Sequence, residues 1–437
     1  MIFSLGVFLL FYRLFIYTPV IFGMRDDFKS AVPFQEIPAG IPGISAKDCA
    51  LCHLEIYEEW KTSMHAKAYT DPFFRAFWRK DKEIWVCLNC HTPLENQQPF
   101  RILGLEGGSI ERPIREENKG YDPELQQEGI TCAGCHLRDG VIWGPFKDLE
   151  APHPTGYDSR FRSNEICYTC HQVPSGPFQF YNGGPCATFF EFEDGPYAAM
   201  GYLCSTCHMP EVERPLVPGG PIRKTRRHLW PGGHDQRMLR KAITVKMTPS
   251  ARTFSSGETA EFKLTLTNSG AGHKIPTGDP DRFFTVEFTV MDKQGRVLKE
   301  QSHTISRRLI WWPFIVEYYD NRIGPLESRD FFFRYPLSGK KGELTAQIRV
   351  RYHIMKESMN RKLRKKYGLT GEDPFVFDLV EENLSLVKEK GSPNWRIGRR
   401  GAVHFEGTDK WFPRSNSFSA SFLNRYNSDA SPGHCSS

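Results

Sequence analysis

Long apolar runs are scarce in this sequence, and their scarcity narrows the class of protein. Only one stretch, close to the N-terminus, is apolar enough to meet a bilayer, so a protein with many membrane spans is excluded. Charged residues make up 25% of the chain and hydrophobic residues 39%, which excludes a disordered acidic tail. No nucleic-acid-binding module accompanies the basic residues. The 437 residues suffice for two or three domains.

The apolar N-terminal stretch covers residues 2–23 and contains Arg13 near its middle. We predict that residues 1–24 are an export signal or an uncleaved membrane anchor, which places the rest of the chain on the periplasmic or extracellular side. Arg13 is costly in a plain membrane span. A misplaced start codon upstream of an ordinary signal and a buried core helix are the alternatives.

Cysteine is concentrated in one repeated pattern. Ten of the 12 cysteines belong to five copies of C-x-x-C-H, which start 38, 45, 35 and 37 residues apart. The copies are CALCH at 49–53, CLNCH at 87–91, CAGCH at 132–136, CYTCH at 167–171 and CSTCH at 204–208. This pattern is the attachment signature of c-type haem. The sequence therefore predicts five covalently attached haem c groups.

The spacing within the motif has a physical reason. Two cysteines three positions apart lie on one face of a helical turn, where both sulfurs reach one porphyrin edge, and the following histidine points to the iron. Structural zinc or an extracellular disulfide framework would use the cysteines but would not need a histidine after every pair. The predicted attachment residues are Cys49, Cys52, Cys87, Cys90, Cys132, Cys135, Cys167, Cys170, Cys204 and Cys207, and the predicted proximal ligands are His53, His91, His136, His171 and His208.

The net charge of +6 fits bound anions. A ferric haem with two ionised propionates carries about −1, so five would bring the protein to about +1. We therefore interpret the basic surplus as compensation for the cofactors.

Five further histidines are candidates for the sixth ligand of an iron, and their number equals that of the motifs. They are His65, His153, His228, His234 and His273. His65 follows His53 by twelve residues, or about 18 Å along a continuous helix. Two axial nitrogens on one iron are only about 4 Å apart, so we expect His65 to serve a haem other than the first. For the pair at 228 and 234, one or both are ligands.

Other residues near the motifs have less specific roles. His303, His353, His404 and His434 are interpreted as surface or core histidines. An internal repeat aligns residues 59–66 with 191–198 and puts Tyr197 in the place of His65. A tyrosine can ligate ferric haem, but packing or hydrogen bonding near a haem edge is the preferred interpretation. Cys186 and Cys435 lie outside the motifs, and a disulfide between them is an open alternative.

The chain divides by pattern into two main parts. Residues 45–240 offer few residues per haem, so the porphyrins must form much of the core of a mainly α pentahaem cytochrome domain of short helices and loops. Period-two alternation, as at Phe262, Leu264 and Leu266, then predicts an all-β, sandwich-like domain over residues 242–355. We see no catalytic constellation in it.

The last part, residues 356–437, begins with a basic, helix-like run, KESMNRKLRKK. Such a run is usually a solvated face, and docking of an acidic partner is the alternative. A last strand pair is predicted near 375–388. The Ser-, Gly- and Arg-rich tail from about 391 is predicted to be disordered.

Several segments resemble the multihaem c-type cytochromes of the tetrahaem ammonia-oxidation type. EEWKTSMHAKAY after the first motif is similar to that family's E-W-x-x-S-x-H-A segment, and APHPTGYDSRF, CSTCHMP, RRHLWPGGHD and GHKIPTG resemble segments of larger bacterial relatives with a C-terminal β-domain. The resemblance covers about 46–355. It implies bis-His haems in close stacked pairs that pass electrons, with His65 as a distal ligand. The fifth motif and the β-domain depart from the tetrahaem pattern.

Three functions follow as expectations. The first is a non-enzymatic electron carrier that exchanges electrons with redox partner proteins and binds no nucleic acid. The second is an oxidoreductase for a small nitrogen or sulfur compound at one haem with an open sixth position, aided by groups such as Tyr197 or His234. The third, compatible with the first, is a structural subunit of a membrane complex or cytochrome assembly.

Overall fold

The computed structural model describes residues 2–11, 31–108, 111–173, 186–310, 316–337 and 343–403. The described residues form one compact unit. Of the predicted N-terminal segment 1–24, only helix α1 (Ile2–Phe11) is described. Within the described ranges, every helix is too short or too polar to cross a membrane. His404, His434 and Cys435 lie outside the described residues.

Short helices carry most of the N-terminal region. After α1 they are α2 (Ala46–Ala50), α3 (Leu54–Trp60), α4 (Pro72–Lys80), α5 (Leu88–His91), α6 (Pro123–Gln127), α7 (Cys132–His136), α8 (Glu165–His171), α9 (Thr188–Glu193), α10 (Pro196–Ala199), α11 (Cys204–His208) and α12 (Gln236–Lys241). Single turns of 3₁₀-helix lie at Trp85–Cys87, Glu95–Gln97, Glu106–Gly108 and Ser159–Arg162.

Side-chain caps fix where several of these helices begin. Ser45 and Asp48 form a capping box at α2, which holds the first motif. Asp71, Asp122 and Asp235 accept hydrogen bonds from the first backbone N–H groups of α4, α6 and α12. Each cap satisfies donors that a helix cannot satisfy internally, so even helices of five or six residues have a defined start.

The same region also contains three small sheets, which the prediction of short helices and loops did not include. They pair β1 (Phe100–Leu105) with β2 (Pro113–Glu117), β3 (Leu137–Arg138) and β5 (Thr155–Tyr157) with β4 (Val141–Gly144), and β6 (Glu211–Pro215) with β7 (Ile222–Arg226). The description as mainly α is therefore incomplete. Strands of two to six residues show too little alternation to be detected in the sequence.

The C-terminal region is rich in β-structure, as predicted. Its strands are β8 (Ile243–Pro249), β9 (Thr253–Phe254), β10 (Thr259–Asn268), β11 (Phe283–Asp292), β12 (Val297–Ile310), β13 (Val316–Asp320), β14 (Ser328–Pro336), β15 (Glu343–His353), β16 (Val376–Lys388) and β17 (Trp395–Val403). One antiparallel sheet has the order β14-β10-β8. The other, a half-barrel, has the order β13-β12-β11-β15-β16-β17-β9.

The two sheets share one apolar core. Phe262 of β10 lies 5.3 Å from Phe288 of β11, and Phe288 stacks on Phe333 of β14 at 4.8 Å between ring centres. All three rings are fully buried. The alternation that predicted β10 is confirmed, since its apolar residues face this core and its polar residues face outward, except for the buried Asn268 at its end.

The end of the described chain differs from the prediction in two respects. Helix α13 (Glu357–Lys366) coincides with the basic run. The strand pair predicted near 375–388 is a single strand, β16. Disorder from about residue 391 is wrong for Trp395–Val403, because β17 pairs with both β16 and β9. Trp395 is 2% exposed and packs into the core. Burial of its large apolar ring stabilises the strand despite the polar residues around it.

Candidate haem-binding site

The five C-x-x-C-H motifs all lie on short helical turns. Three of them coincide with helix ends, at α7, α8 and α11, and the second runs from a 3₁₀ turn into α5. The first begins in α2, and His53 is the residue that precedes α3. Both cysteines and the histidine of each motif thus project from one turn, as thioether attachment to a porphyrin requires. Whether each residue binds haem stays a prediction.

Four motif histidines are oriented by a backbone carbonyl. The ring Nδ1 of each donates to a carbonyl oxygen 2.6–3.0 Å away: His53 to Leu216, His91 to Ala68, His136 to Trp143 and His208 to Pro231. Metal-binding histidines typically donate one ring N–H to such an acceptor, which fixes the tautomer and leaves the other nitrogen for the metal. The Nε2 atoms are therefore the ones available to an iron.

Three of the candidate distal histidines share this orientation. Nδ1 of His228 lies 3.0 Å from the Arg226 oxygen, that of His273 lies 3.0 Å from the Lys274 oxygen, and that of His153 lies 3.3 Å from the Pro154 oxygen. By contrast, Nε2 is the hydrogen-bonding atom of His303, which contacts Gln301, and of His353, which contacts Thr285. Those two histidines are the described ones that the sequence assigned to the surface or core.

The structure brings candidate histidines into pairs with motif histidines. The ring centres of His136 and His228 lie 6.3 Å apart, those of His65 and His171 also 6.3 Å, and those of His208 and His273 6.4 Å. Two imidazoles on opposite sides of one iron would have ring centres about 6.3 Å apart, given bonds of about 2 Å and about 1.15 Å from nitrogen to ring centre. These three pairs therefore fit a six-coordinate haem iron. His65 lies beside the fourth motif, away from the first.

The remaining candidates are arranged differently. Burial lowers the pKa of His53, and the nearby His153 adds a smaller contribution in the same direction. His91 stacks on Phe74 of α4 at 3.7 Å, and His234 lies 6.3 Å from the neighbouring ring of Phe73. Helix α4 thus stands between the second motif and His234. The role of His234 as an iron ligand stays a prediction.

Burial keeps these imidazoles neutral. Desolvation, followed by the neighbouring His171, lowers the pKa of His65 to about 3. Burial is also the main cause that lowers the pKa of His91, His208, His228 and His234 to about 4 each. A metal ligand must be unprotonated, so a low pKa suits an axial ligand at neutral pH.

Contacts between cysteines show which motifs are neighbours. Hydrogen bonds connect the thiol of Cys49 with that of Cys132, Cys90 with Cys170, and Cys167 with Cys204. Motifs 1 and 3, 2 and 4, and 4 and 5 are therefore adjacent in space.

The sequence analysis missed a buried carboxylate beside His228. Glu59 accepts two hydrogen bonds of 2.8 Å from Arg214 and one of 2.7 Å from Arg227. Its Oε2 also accepts the backbone N–H of His228 at 3.0 Å. Glu59 thereby connects α3 to the segment that carries the candidate ligand. The fragment Glu59-Trp60 of the resemblance was the one signal that could have indicated it.

A second buried ion pair joins the N-terminal region to the β-rich region near His273. Arg322 (3% exposed) binds Glu191 of α9 (6% exposed) at 2.5 Å and also Asp320 at 2.9 Å. Lys274, the residue after His273, binds the same Asp320 at 2.9 Å. The loop that presents His273 is therefore held by charges from both regions.

Tyr197 and the cysteines outside the motifs complete the site. The Tyr197 hydroxyl donates to the Ser269 oxygen at 3.0 Å. Cys186 lies beside the fourth motif, where its Sγ is 3.7 Å from the His171 oxygen. The described cysteines form no disulfide, and no three His, Cys, Asp or Glu of the described ranges are arranged to hold a metal ion by themselves. A Cys186–Cys435 bond is untested because Cys435 lies outside these ranges.

Known proteins share parts of this chain. Residues 48–105 match the family model described as cytochrome c554 and c-prime. The pentahaem cytochrome c552 of Thermochromatium tepidum aligns over 78% of this chain and 98% of its own, with 20% identity and a TM-score of 0.57. The ApaA protein of Bordetella pertussis covers 34% of this chain and 94% of its own, at 15% identity and a TM-score of 0.18, too low to carry an argument. The search of curated proteins gave no match.

The family match spans the first two motifs, and the likeness to the pentahaem protein spans most of the chain. That likeness concerns the fold. Together with the five motifs on their helical turns, these findings support the assignment of this chain as a multihaem c-type cytochrome, a class that binds haem c covalently and takes part in electron transfer.

Proposed function

We propose that this protein is an electron carrier with five haem c groups, most of them ligated by two histidines. The single observation that carries the proposal is the spacing of the three histidine pairs, with ring centres 6.3–6.4 Å apart. Nothing in side-chain packing alone requires three buried pairs to share the spacing of two axial ligands. In five places, a C-x-x-C-H motif supplies the attachment points.

The chain's residues would divide the work as follows. Thiols of the ten motif cysteines would hold the porphyrin edges, and Nε2 of the motif histidines would bind the irons. His65 would serve the fourth haem, His228 the third and His273 the fifth, with His153 opposite His53 at the first. Haem c supplies one-electron redox chemistry when bound. Buried, neutral imidazoles on both sides would hold each iron in one coordination state.

We further propose that the chain works outside the cytoplasm, where multihaem c-type cytochromes are generally found, and that residues 1–24 direct its export. Its partners would be redox proteins, with assembly into a larger cytochrome complex as a compatible role. Division at about residue 241 into a haem-binding domain and a β-domain is likewise our proposal, with α12 as the last helix before the β-rich region.

The test is low-temperature EPR of the oxidised holoprotein, together with a haem count from the pyridine haemochrome. We expect five haems with low-spin signals, and conversion of one of them to high-spin in His273→Ala. The matched control is His303→Ala, whose imidazole contacts Gln301 in the β-rich region.

Fewer than five haems, or unchanged signals in His273→Ala, would overturn the proposal. A high-spin signal in the unmodified protein would instead favour the oxidoreductase, and nitrite, hydroxylamine and sulfite would then be tested as substrates.

A further inference from the structure

Arg282 has a guanidinium group that the protein leaves short of acceptors. It precedes β11, and its buried Nε has no hydrogen-bond partner. Its Nη1 reaches the Thr277 oxygen only at 3.5 Å. An arginine stays charged and offers five N–H donors. Tyr352 and Asp279 compensate part of this charge. The buried Nε donor is left over, so one more acceptor, and an anion best of all, would stabilise the site.

Tyr352 adds a second donor at the same place. Its ring is 2% exposed, and its hydroxyl hydrogen-bonds with Arg282. Burial raises the pKa of Tyr352, so the hydroxyl stays protonated and can donate. Asp279, whose charge also acts on Arg282, accepts the backbone N–H of Asp281 with Oδ1 at 2.8 Å. The paired N–H donors of a guanidinium, with a hydroxyl donor beside them, suit the two oxygens of a carboxylate.

Two glycines make room for this guanidinium. A Cβ at Gly233 would lie 2.6 Å from the Tyr352 oxygen and 2.9 Å from Nη1 of Arg282. A Cβ at Gly278 would lie 3.2 Å from the same nitrogen, and its φ of +80° favours glycine as well. The segment before His234 and the turn before β11 therefore both depend on a missing side chain to keep Arg282 in place.

The guanidinium lies beside candidate iron ligands. A Cβ at Gly233, the residue before His234, would already meet Nη1 of Arg282 at 2.9 Å. Burial lowers the pKa of both His171 and His234, and the charge of Arg282 adds to that shift. His171 belongs to the fourth motif and forms a pair with His65. A haem attached at the fourth motif, as proposed above, would bring two propionate carboxylates into this part of the molecule.

We propose that Arg282 and Tyr352 form the binding site for a propionate carboxylate of the haem attached at Cys167 and Cys170. This inference rests on the proposed function, because it requires that haem to be present. Arg282 would keep the propionate ionised, and its positive charge would favour the reduced iron. The residue would thus set the potential of one haem of the five.

The experiment is a spectroelectrochemical titration of the holoprotein at pH 6, 7 and 8, with EPR to resolve single haems. In Arg282→Gln we expect one midpoint potential to fall and to become dependent on pH, because the propionate can now be protonated. Tyr352→Phe should cause a smaller shift of the same haem. The matched control is Arg308→Gln, an exposed arginine of β12 that lies over Tyr319.

A second readout separates binding from a distant charge effect. Arg282→Lys keeps the charge but loses the planar fork. We expect it to shift the carboxylate band in the redox-induced infrared difference spectrum while the potential moves less than in Arg282→Gln. A holoprotein with five low-spin haems, but with potentials and carboxylate bands unchanged in all these variants, would overturn the inference and leave the proposed function intact. Loss of haem from the unmodified protein would overturn the function instead.

Discussion

Replacement of Glu59 by glutamine should reveal how strongly the protein depends on the carboxylate beside His228. The side chains of Glu59 and Arg214 are 11% and 7% exposed, so their ion pair is largely withdrawn from water. Removal of one partner of such a pair costs about 3–5 kcal/mol, because the other charge stays buried. The other acid near Arg214 is Glu55, at 3.6 Å, and it is too exposed to compensate for much of the loss. We therefore expect Glu59→Gln to lower the free energy of unfolding by about 3 kcal/mol or more.

The assay is urea unfolding of the holoprotein, followed by circular dichroism, with Glu58→Gln as the matched control. Glu58 is the preceding residue of α3, but its pair with Lys61 is about half exposed on both sides. Exposed pairs contribute about 0–1 kcal/mol, so the control should unfold close to the unmodified protein. Equal unfolding midpoints for the two variants would refute the view that Glu59 is essential to this part of the fold.

The pH dependence provides a second check on Glu59. Burial raises the pKa of this carboxyl, but hydrogen bonds from Arg214 and from the His228 N–H outweigh it, so the pKa lies below its usual value. A group with a lowered pKa in the folded state stabilises the protein above its unfolded pKa, and this stability is lost as the pH falls. The advantage of the unmodified protein over Glu59→Gln should therefore shrink as the medium becomes acidic. A difference in unfolding free energy between the two proteins that stays constant as the pH falls would contradict this.

Three further outcomes are expected. Glu191→Gln should lower the thermal midpoint well beyond any exposed carboxylate variant, since it leaves the buried Arg322 with one acid fewer; an unchanged midpoint would contradict this. Tyr197→Phe should leave all EPR signals as they are, because its hydroxyl serves the Ser269 oxygen; a new high-spin signal would make it a ligand. Lys362→Glu with Lys365→Glu on the exposed face of α13 should slow reduction of ferricyanide at low ionic strength and not at high, as a screened charge effect does; equal rates at low salt would rule out a steering role.

Features of this molecule that depend on neighbouring residues could be predicted from the sequence. Features that depend on contacts between distant residues could not. The strand β10 could be predicted because Phe262, Leu264 and Leu266 alternate over a few residues, and all three are buried. The motifs were evident for the same reason, since all their residues lie on one turn. By contrast, β17 was missed because its place in the sheet depends on Trp395 packing into a core built by distant strands.

The candidate site shows the same division. Glu59 and Arg214 are separated by 155 positions, and no spacing rule connects them. The distance along a helix indicated that His65 does not serve the first haem, but it could not identify which haem His65 does serve. His171 comes close to His65 only through the fold. Arg282 could not be recognised in the sequence, because a single arginine before a strand forms no pattern. Its role depends on a buried Nε without an acceptor, which only the structure shows.

The pairing of His208 with His273 has a consequence for the order in which the protein matures. The two residues are 65 positions apart and belong to different regions, whereas His65 comes before its partner His171. In a chain exported from its N-terminus, as proposed, the fourth haem would find both ligands as soon as its own motif emerges. The fifth would wait, five-coordinate, until the loop before β11 follows. The third haem would wait in the same way for His228, which follows His136 by 92 positions, and the first would wait for His153. Slow or interrupted export would therefore leave these haems transiently reactive.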